Sequence, residues 1–205
     1  MEQLTYLPEL HELRGERKSA RRAQHGRVAR EAAPIGGATP DQSAFDFERA
    51  PGSPRMARVL ALPASEATRE RAEGWYRLGC ELESSDPERS RSAYERALAI
   101  APAHADAHLN LGCLDHEAGQ LASAEAHYRA ALAARADDVT ARFDLAVALE
   151  DQHREGEARD AYLACLMGDP SCSEAHFNLA RLAERTGDRA TALRHLLAYR
   201  RLTAG

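Results

Sequence analysis

The chain has 205 residues, 44% of them apolar, and a formal charge of −5, which suits one folded domain with a tail. No apolar run approaches the length of a membrane span, and the charge balance is far from the strongly basic one of a nucleic-acid binder. Met1 to Ala20 lacks the basic start and apolar core of a secretory signal.

Residues 1–63 come first and differ in composition from the rest. Leu4, Leu7, Leu10 and Leu13 could line one side of a short helix, which Pro8 interrupts. Arg14 to Arg30 holds six arginines and Lys18 against Glu16 alone, a local charge of +6. Such a stretch can serve as an arm for nucleic acid or another acidic partner. It contains no aromatic residue to stack on bases, which favours a solvated tail. Ala33 to Pro40 and Ala50 to Pro54 are rich in Gly and Pro. The expectation is a largely disordered basic and Pro/Gly-rich arm over 1–63 and a folded domain over 64–205.

From Ala72 onward the sequence repeats. Tyr94, Tyr128, Tyr162 and Leu196 are evenly spaced, and the same interval separates Gly112, Ala146 and Ala180, and again Ala124, Ala158 and Ala192. A fixed period of this size belongs to stacked helical units, none of which buries its apolar face alone. The step from Gly79 to Gly112 is shorter by one than the step from Tyr94 to Tyr128. One residue is therefore missing ahead of Tyr94, in the Ser84 to Pro87 turn where a deletion is well tolerated. Within a unit the apolar spacing is helical. Leu109, Leu111 and Leu114 up to Gly119 give one helix and its stop, and Leu121 to Ala134 gives the next. Pro87 marks a helix start, while Pro102 and Pro170 follow helix ends. Gly79, Gly112, Ala146 and Ala180 fall mid-helix, where Gly costs about 1 kcal/mol relative to Ala. Their smallness predicts a second helix pressed close, with the tyrosine rings beside them.

Trp75-x2-Leu78-Gly79, then Tyr94-x2-Ala97 and Pro102, resembles the tetratricopeptide repeat. Four copies fall at about 72–104, 105–138, 139–172 and 173–205. The resemblance implies an all-α fold, a right-handed α-solenoid of four helix hairpins. It also implies an adaptor or scaffold that binds a peptide or partner protein on its concave face. His108, Arg142 and His176 depart from the repeat's Trp, and Ala136 and Ala204 from its closing Pro. Tyr199 stands where a small residue is usual, which suggests a modified C-terminal cap. Upstream, Ser43 to Glu48 resembles the linker of bacterial proteins that carry a MerR-type helix-turn-helix at the N-terminus. That likeness implies the alternative of a transcriptional regulator whose DNA-binding module is missing from this chain.

In this family the first helix of each repeat lines the inner curve. Aligned there are Tyr76, Leu109, Phe143 and Phe177, followed one residue on by Arg77, Asn110, Asp144 and Asn178. One turn later come Cys80, Cys113, Val147 and Arg181. The candidate peptide-binding residues are therefore Tyr76, Arg77, Leu109, Asn110, Phe143, Asp144, Phe177, Asn178 and Arg181. An apolar ladder beside an amide ladder suits a peptide, because an Asn side chain both donates to and accepts from backbone amides. The Asn positions resemble the asparagine ladder in the tetratricopeptide domain of the O-linked glycosyltransferase. The competing assignment for the rings is packing between neighbouring helices. Asp106, Glu117, Glu150, Asp151, Glu174 and Glu184 make the middle of this surface acidic, with Arg77, Arg181 and Arg185 towards the ends, which favours a neutral or basic peptide. A clamp for a chaperone's C-terminal carboxylate is not expected. Of the corresponding positions Tyr76, Cys80, Asn110, Thr140 and Asp144, only Asn110 fits.

Cys80, Cys113 and His116 could in principle hold a zinc ion. Equivalent positions on adjacent repeats are about 10 Å apart, however, so neither a metal nor any other cofactor is expected. The four cysteines are read as small core residues, without a structural disulfide. No phosphate loop, nucleophile elbow, zinc-protease or dinucleotide motif is present. His104, His108 and His176 fall at helix starts, and His127 and His195 are expected on outer faces, with no relay to a nucleophile. The expectation is no enzyme. Lys18 is the only lysine among 27 basic residues, which together with abundant alanine points to a GC-rich, bacterial genome and by default to the cytoplasm.

Overall fold

A computed structural model describes residues 65–204. The leucine segment, the Arg14–Arg30 stretch and the Ser43–Glu48 likeness lie outside the described residues. Eight helices follow one another there: α1 (Glu66–Leu82), α2 (Pro87–Ile100), α3 (Ala105–Glu117), α4 (Leu121–Ala134), α5 (Val139–Asp151), α6 (Glu155–Gly168), α7 (Ser173–Arg185) and α8 (Arg189–Thr203). Consecutive helices pack as four hairpins, each hairpin packs on the next, and α3 also touches α5 directly. The result is an α-solenoid.

Local chemistry sets the starts. Ser65, Asp86, His104, Asp138 and Asp188 precede five of the helices, and each side chain accepts an amide N–H of the first turn, at 2.9–3.2 Å. Pro87 opens α2, where its missing N–H is no loss. The stops recur as well. Gly119, His153 and Gly187 keep the interval of the repeat and have φ of 76°, 61° and 78°. Each is followed by a residue whose N–H reaches back to Asp115, Leu149 or Ala183 O at 2.8–2.9 Å, the bond that closes a left-handed helix end. The first hairpin has no such residue among those described. α1 ends three residues after Gly79, whereas α3, α5 and α7 run five beyond Gly112, Ala146 and Ala180. The missing residue thus removed the left-handed stop, and Asp86 N–H bonds Leu82 O at 2.8 Å instead.

The mid-helix glycines have the predicted neighbour. A methyl group on Gly79 would stand 2.4 Å from Tyr94 Cε1, and one on Gly112 would stand 2.6 Å from Tyr128 Cε1. Both distances are shorter than any real contact, so only Gly allows the hairpin to close this far. Tyr94, Tyr128 and Tyr162 are fully buried, each in its own apolar cluster between successive hairpins. The last hairpin differs. Leu196 takes the tyrosine place and is half-buried, while Tyr199 packs its ring on Phe177 at 5.3 Å.

Candidate interaction surface

Each junction between hairpins is built around a phenol. Tyr94 Oη donates to Glu83 Oε1 at 2.9 Å and accepts from Asn110 Nδ2 at 2.9 Å. Tyr162 Oη donates to Glu150 Oε2 at 3.0 Å and accepts from Asn178 Nδ2 at 2.9 Å. Each bond set spans two hairpins, because the Asn belongs to the hairpin after the Tyr. Burial pushes the Tyr76 and Tyr94 phenols far above their ordinary range, so both act as neutral hydrogen-bonding groups. At the middle junction His116 and Asp144 hold the register positions of the carboxylate and the amide. There Tyr128 Oη reaches Cys113 Sγ at 3.6 Å, and Cys113 reaches Asp144 Oδ2 at 3.8 Å.

The nine predicted binding residues divide on this geometry. Tyr76, Leu109, Asn110, Asp144, Phe177 and Asn178 are buried, with Asp144 and Asn178 only 2% exposed. Tyr76 lies against Tyr94 and His104, and Leu109 belongs to the cluster around Tyr128. The amide ladder thus joins repeats and does not present an open row of side chains. Phe143 is half-buried, with its ring 5.7 Å from that of Tyr162. Arg77 is exposed, and Arg181 is half-buried with its guanidinium on Glu150. Arg185 joins the same carboxylate at 3.5 Å and Glu155 at 3.0 Å. Asp106 is held by Arg135 at 2.8 Å and Asp151 by His116 at 2.7 Å, whereas Glu117 and Glu184 are exposed.

One reading of the histidines is corrected by the packing. His127 and His195 turn inward, and His195 is only 7% exposed. His127 Nδ1 meets His108 Nδ1 at 3.0 Å, and His195 Nδ1 meets His176 Nδ1 at 2.9 Å. In the other two hairpins the same pair of positions holds a large residue and an alanine, Trp75 with Ala93 and Arg142 with Ala161. Cys80 and Cys113 sit at successive junctions, each against its own tyrosine, and His116 is engaged with Asp151. Among the described residues no group of three metal-ligating side chains converges. None of the described helices is long and apolar enough to cross a membrane.

Hairpins stacked through one recurring polar junction define a helical-repeat protein of the interaction-scaffold class. Residues 81–114 and 113–168 match the tetratricopeptide repeat model, and the helices continue the same register to Thr203. The matched residues are tetratricopeptide repeats. Solved structures with this fold include MamA from Desulfovibrio magneticus RS-1, with 23% identity, TM-score 0.59 and 64% of this chain covering 75% of that one. MamA AMB-1 has 25% identity and TM-score 0.59 over 65% of this chain and 74% of that one. A further MamA crystal structure has 17% identity and TM-score 0.62 over 67% and 81%. A search of curated proteins gives no match.

Proposed function

We propose that the chain is a non-catalytic, cytoplasmic adaptor that binds a neutral or basic peptide segment of a partner protein along the face built by α1, α3, α5 and α7. The observation that carries this reading is the division of labour within one register. The phenols, amides and apolar rings that join repeats are buried, which leaves Arg77, Phe143 and Arg181 with the carboxylates of Glu117 and Glu184 for a ligand. A rigid row of helices with a polar open side suits an extended peptide, whose backbone those groups bond while the buried ladder fixes their spacing. The carboxylates select against an acidic ligand by like-charge repulsion.

Capture from the native host with wild type and with Glu117→Lys/Glu184→Lys tests the face directly. Both side chains are exposed, so circular dichroism should be unchanged while partner recovery falls at least several-fold. Equal recovery would count against this face. The folded unit is proposed to start near Ser65, the cap of α1. Limited proteolysis should leave a stable core beginning between Leu62 and Arg71. A core retaining Arg14–Arg30 would contradict that boundary.

A further inference from the structure

The joint between the third and fourth hairpins contains two cysteines that peptide binding does not use. Cys165 lies in the last turn of α6, fully buried, in the register of Ala97 and Ala131. Cys172 is the residue that precedes α7, where His104 and Asp138 cap the corresponding helices with side-chain acceptors. The connection folds tightly, with Asp169 N–H on Cys165 O at 2.9 Å and Cys172 N–H on Asp169 O at 3.2 Å. This turn returns the chain so that both side chains join one core cluster. Cys165 has no access to solvent and Cys172 is half-buried. Cys80 and Cys113 belong to other junctions, each against its own tyrosine.

We propose that Cys172 and Cys165 are a redox-modification site, which a hydroperoxide converts to a reversible intramolecular disulfide at the α6–α7 joint. The two thiols have different roles. The neighbouring Cys165 thiol, with the Ala175 amide, holds the Cys172 thiol below its ordinary range against burial and the Glu174 carboxylate 4.0 Å away. The Cys172 sulfur and burial push the Cys165 thiol up. Cys172 is the half-buried thiol that a peroxide can reach and is the attacking sulfur, and the fully buried Cys165 is the resolving one. The Cys172 thiolate attacks the terminal peroxide oxygen, the O–O bond breaks, and the leaving oxygen takes up a proton as water or an alcohol. Cys165 sulfur then attacks the Cys172 sulfenic sulfur. The S–S bond forms, the S–O bond breaks, and water leaves with the Cys165 proton. Two electrons pass from the thiols to the peroxide, and a dithiol reductant returns them. The disulfide ties the end of one hairpin to the start of the next.

The full chain carrying Cys80→Ser and Cys113→Ser leaves only this pair. Treated with a small excess of hydrogen peroxide, it should lose both titratable thiols, remain monomeric on a non-reducing gel and lose the mass of two hydrogens. Dithiothreitol should restore the starting mass. Adding Cys165→Ala should instead give a chain that gains one oxygen at Cys172. In wild type, peptide mapping should place the cross-link between Cys165 and Cys172. Retained thiols, a gain of oxygen with both cysteines present, an interchain dimer or a cross-link to Cys80 or Cys113 would each overturn the proposal.

Discussion

The outer junctions and the middle one surround the same buried ring with different polar groups. Around Tyr94 and Tyr162 stand a carboxylate that accepts and an amide that donates: Glu83 with Asn110, and Glu150 with Asn178. Around Tyr128 both positions change together, to His116 and Asp144. A phenol donates one hydrogen bond and accepts others, so it fits either arrangement provided its two neighbours are not both acceptors. The repeat thus keeps the ring while the two polar groups at these positions change together.

The largest effect should come from emptying a junction. Tyr162→Ala removes a fully buried ring and its two hydrogen bonds, and is expected to cost about 3–5 kcal/mol in urea unfolding. Leu196→Ala at the half-buried end hairpin should cost clearly less. Equal losses would show that the end is packed as tightly as the interior and would erase the contrast between them.

A second contrast, between the hairpins with paired histidines and those with Trp75 or Arg142, is read by pH. Burial, and then His176 and Arg194, hold His195 below its ordinary range. Burial does the same to His127, helped by His108 and Arg91 and opposed by Asp115 and Glu95. The unfolded chain therefore takes up more protons than the folded one as pH falls through about 6.5. Stability should be greatest above that value and decline towards the lower folded values. The acidic groups whose range is lowered, such as Glu125 and Asp169, act further down, at roughly pH 4 and below. The unfolding midpoint measured between about pH 7 and 5 should fall in wild type, and the slope should flatten in His127→Asn/His195→Asn. An unchanged slope would mean that the histidine pairs do not set the pH dependence.

The smallest effect concerns the turns. His153 holds φ of 61° where Gly119 and Gly187 serve the other hairpins. His153→Gly relieves that strain and should stabilise by about 0.5–1 kcal/mol, read as a higher melting temperature. A lower one would mean that the His153 side chain contributes more than its backbone costs.

The hairpins, their boundaries and the contacts of Gly79 and Gly112 were legible because a one-dimensional period translates directly into stacking. The ladder positions were legible as a helix face but not as core. One helix face spans both the open groove and the seam with the next hairpin, and spacing alone does not say how far Tyr94 or Tyr162 reaches across. The signal was present: Asn110 follows Tyr94 at the interval at which Asn178 follows Tyr162, and Glu83 and Glu150 accompany them. The inward turn of His127 and His195 was similarly written in paired exchanges, His108 with His127 against Trp75 with Ala93. Reading residues one at a time hides such exchanges; reading them as volume and hydrogen-bond pairs reveals them.

At the outer junctions each phenol has one donor and one acceptor neighbour, and the sharpest test that this pairing organises them is a pair of exchanges measured by urea unfolding at neutral pH. Asn178→Asp places two carboxylates on the Tyr162 hydroxyl and should cost about 2 kcal/mol or more. Asp144→Asn gives the middle junction an amide that can donate or accept, and should change stability by less than about 1 kcal/mol. If the two substitutions have equal effects, or if Asp144→Asn is the more damaging, the phenols do not organise the junctions in this way.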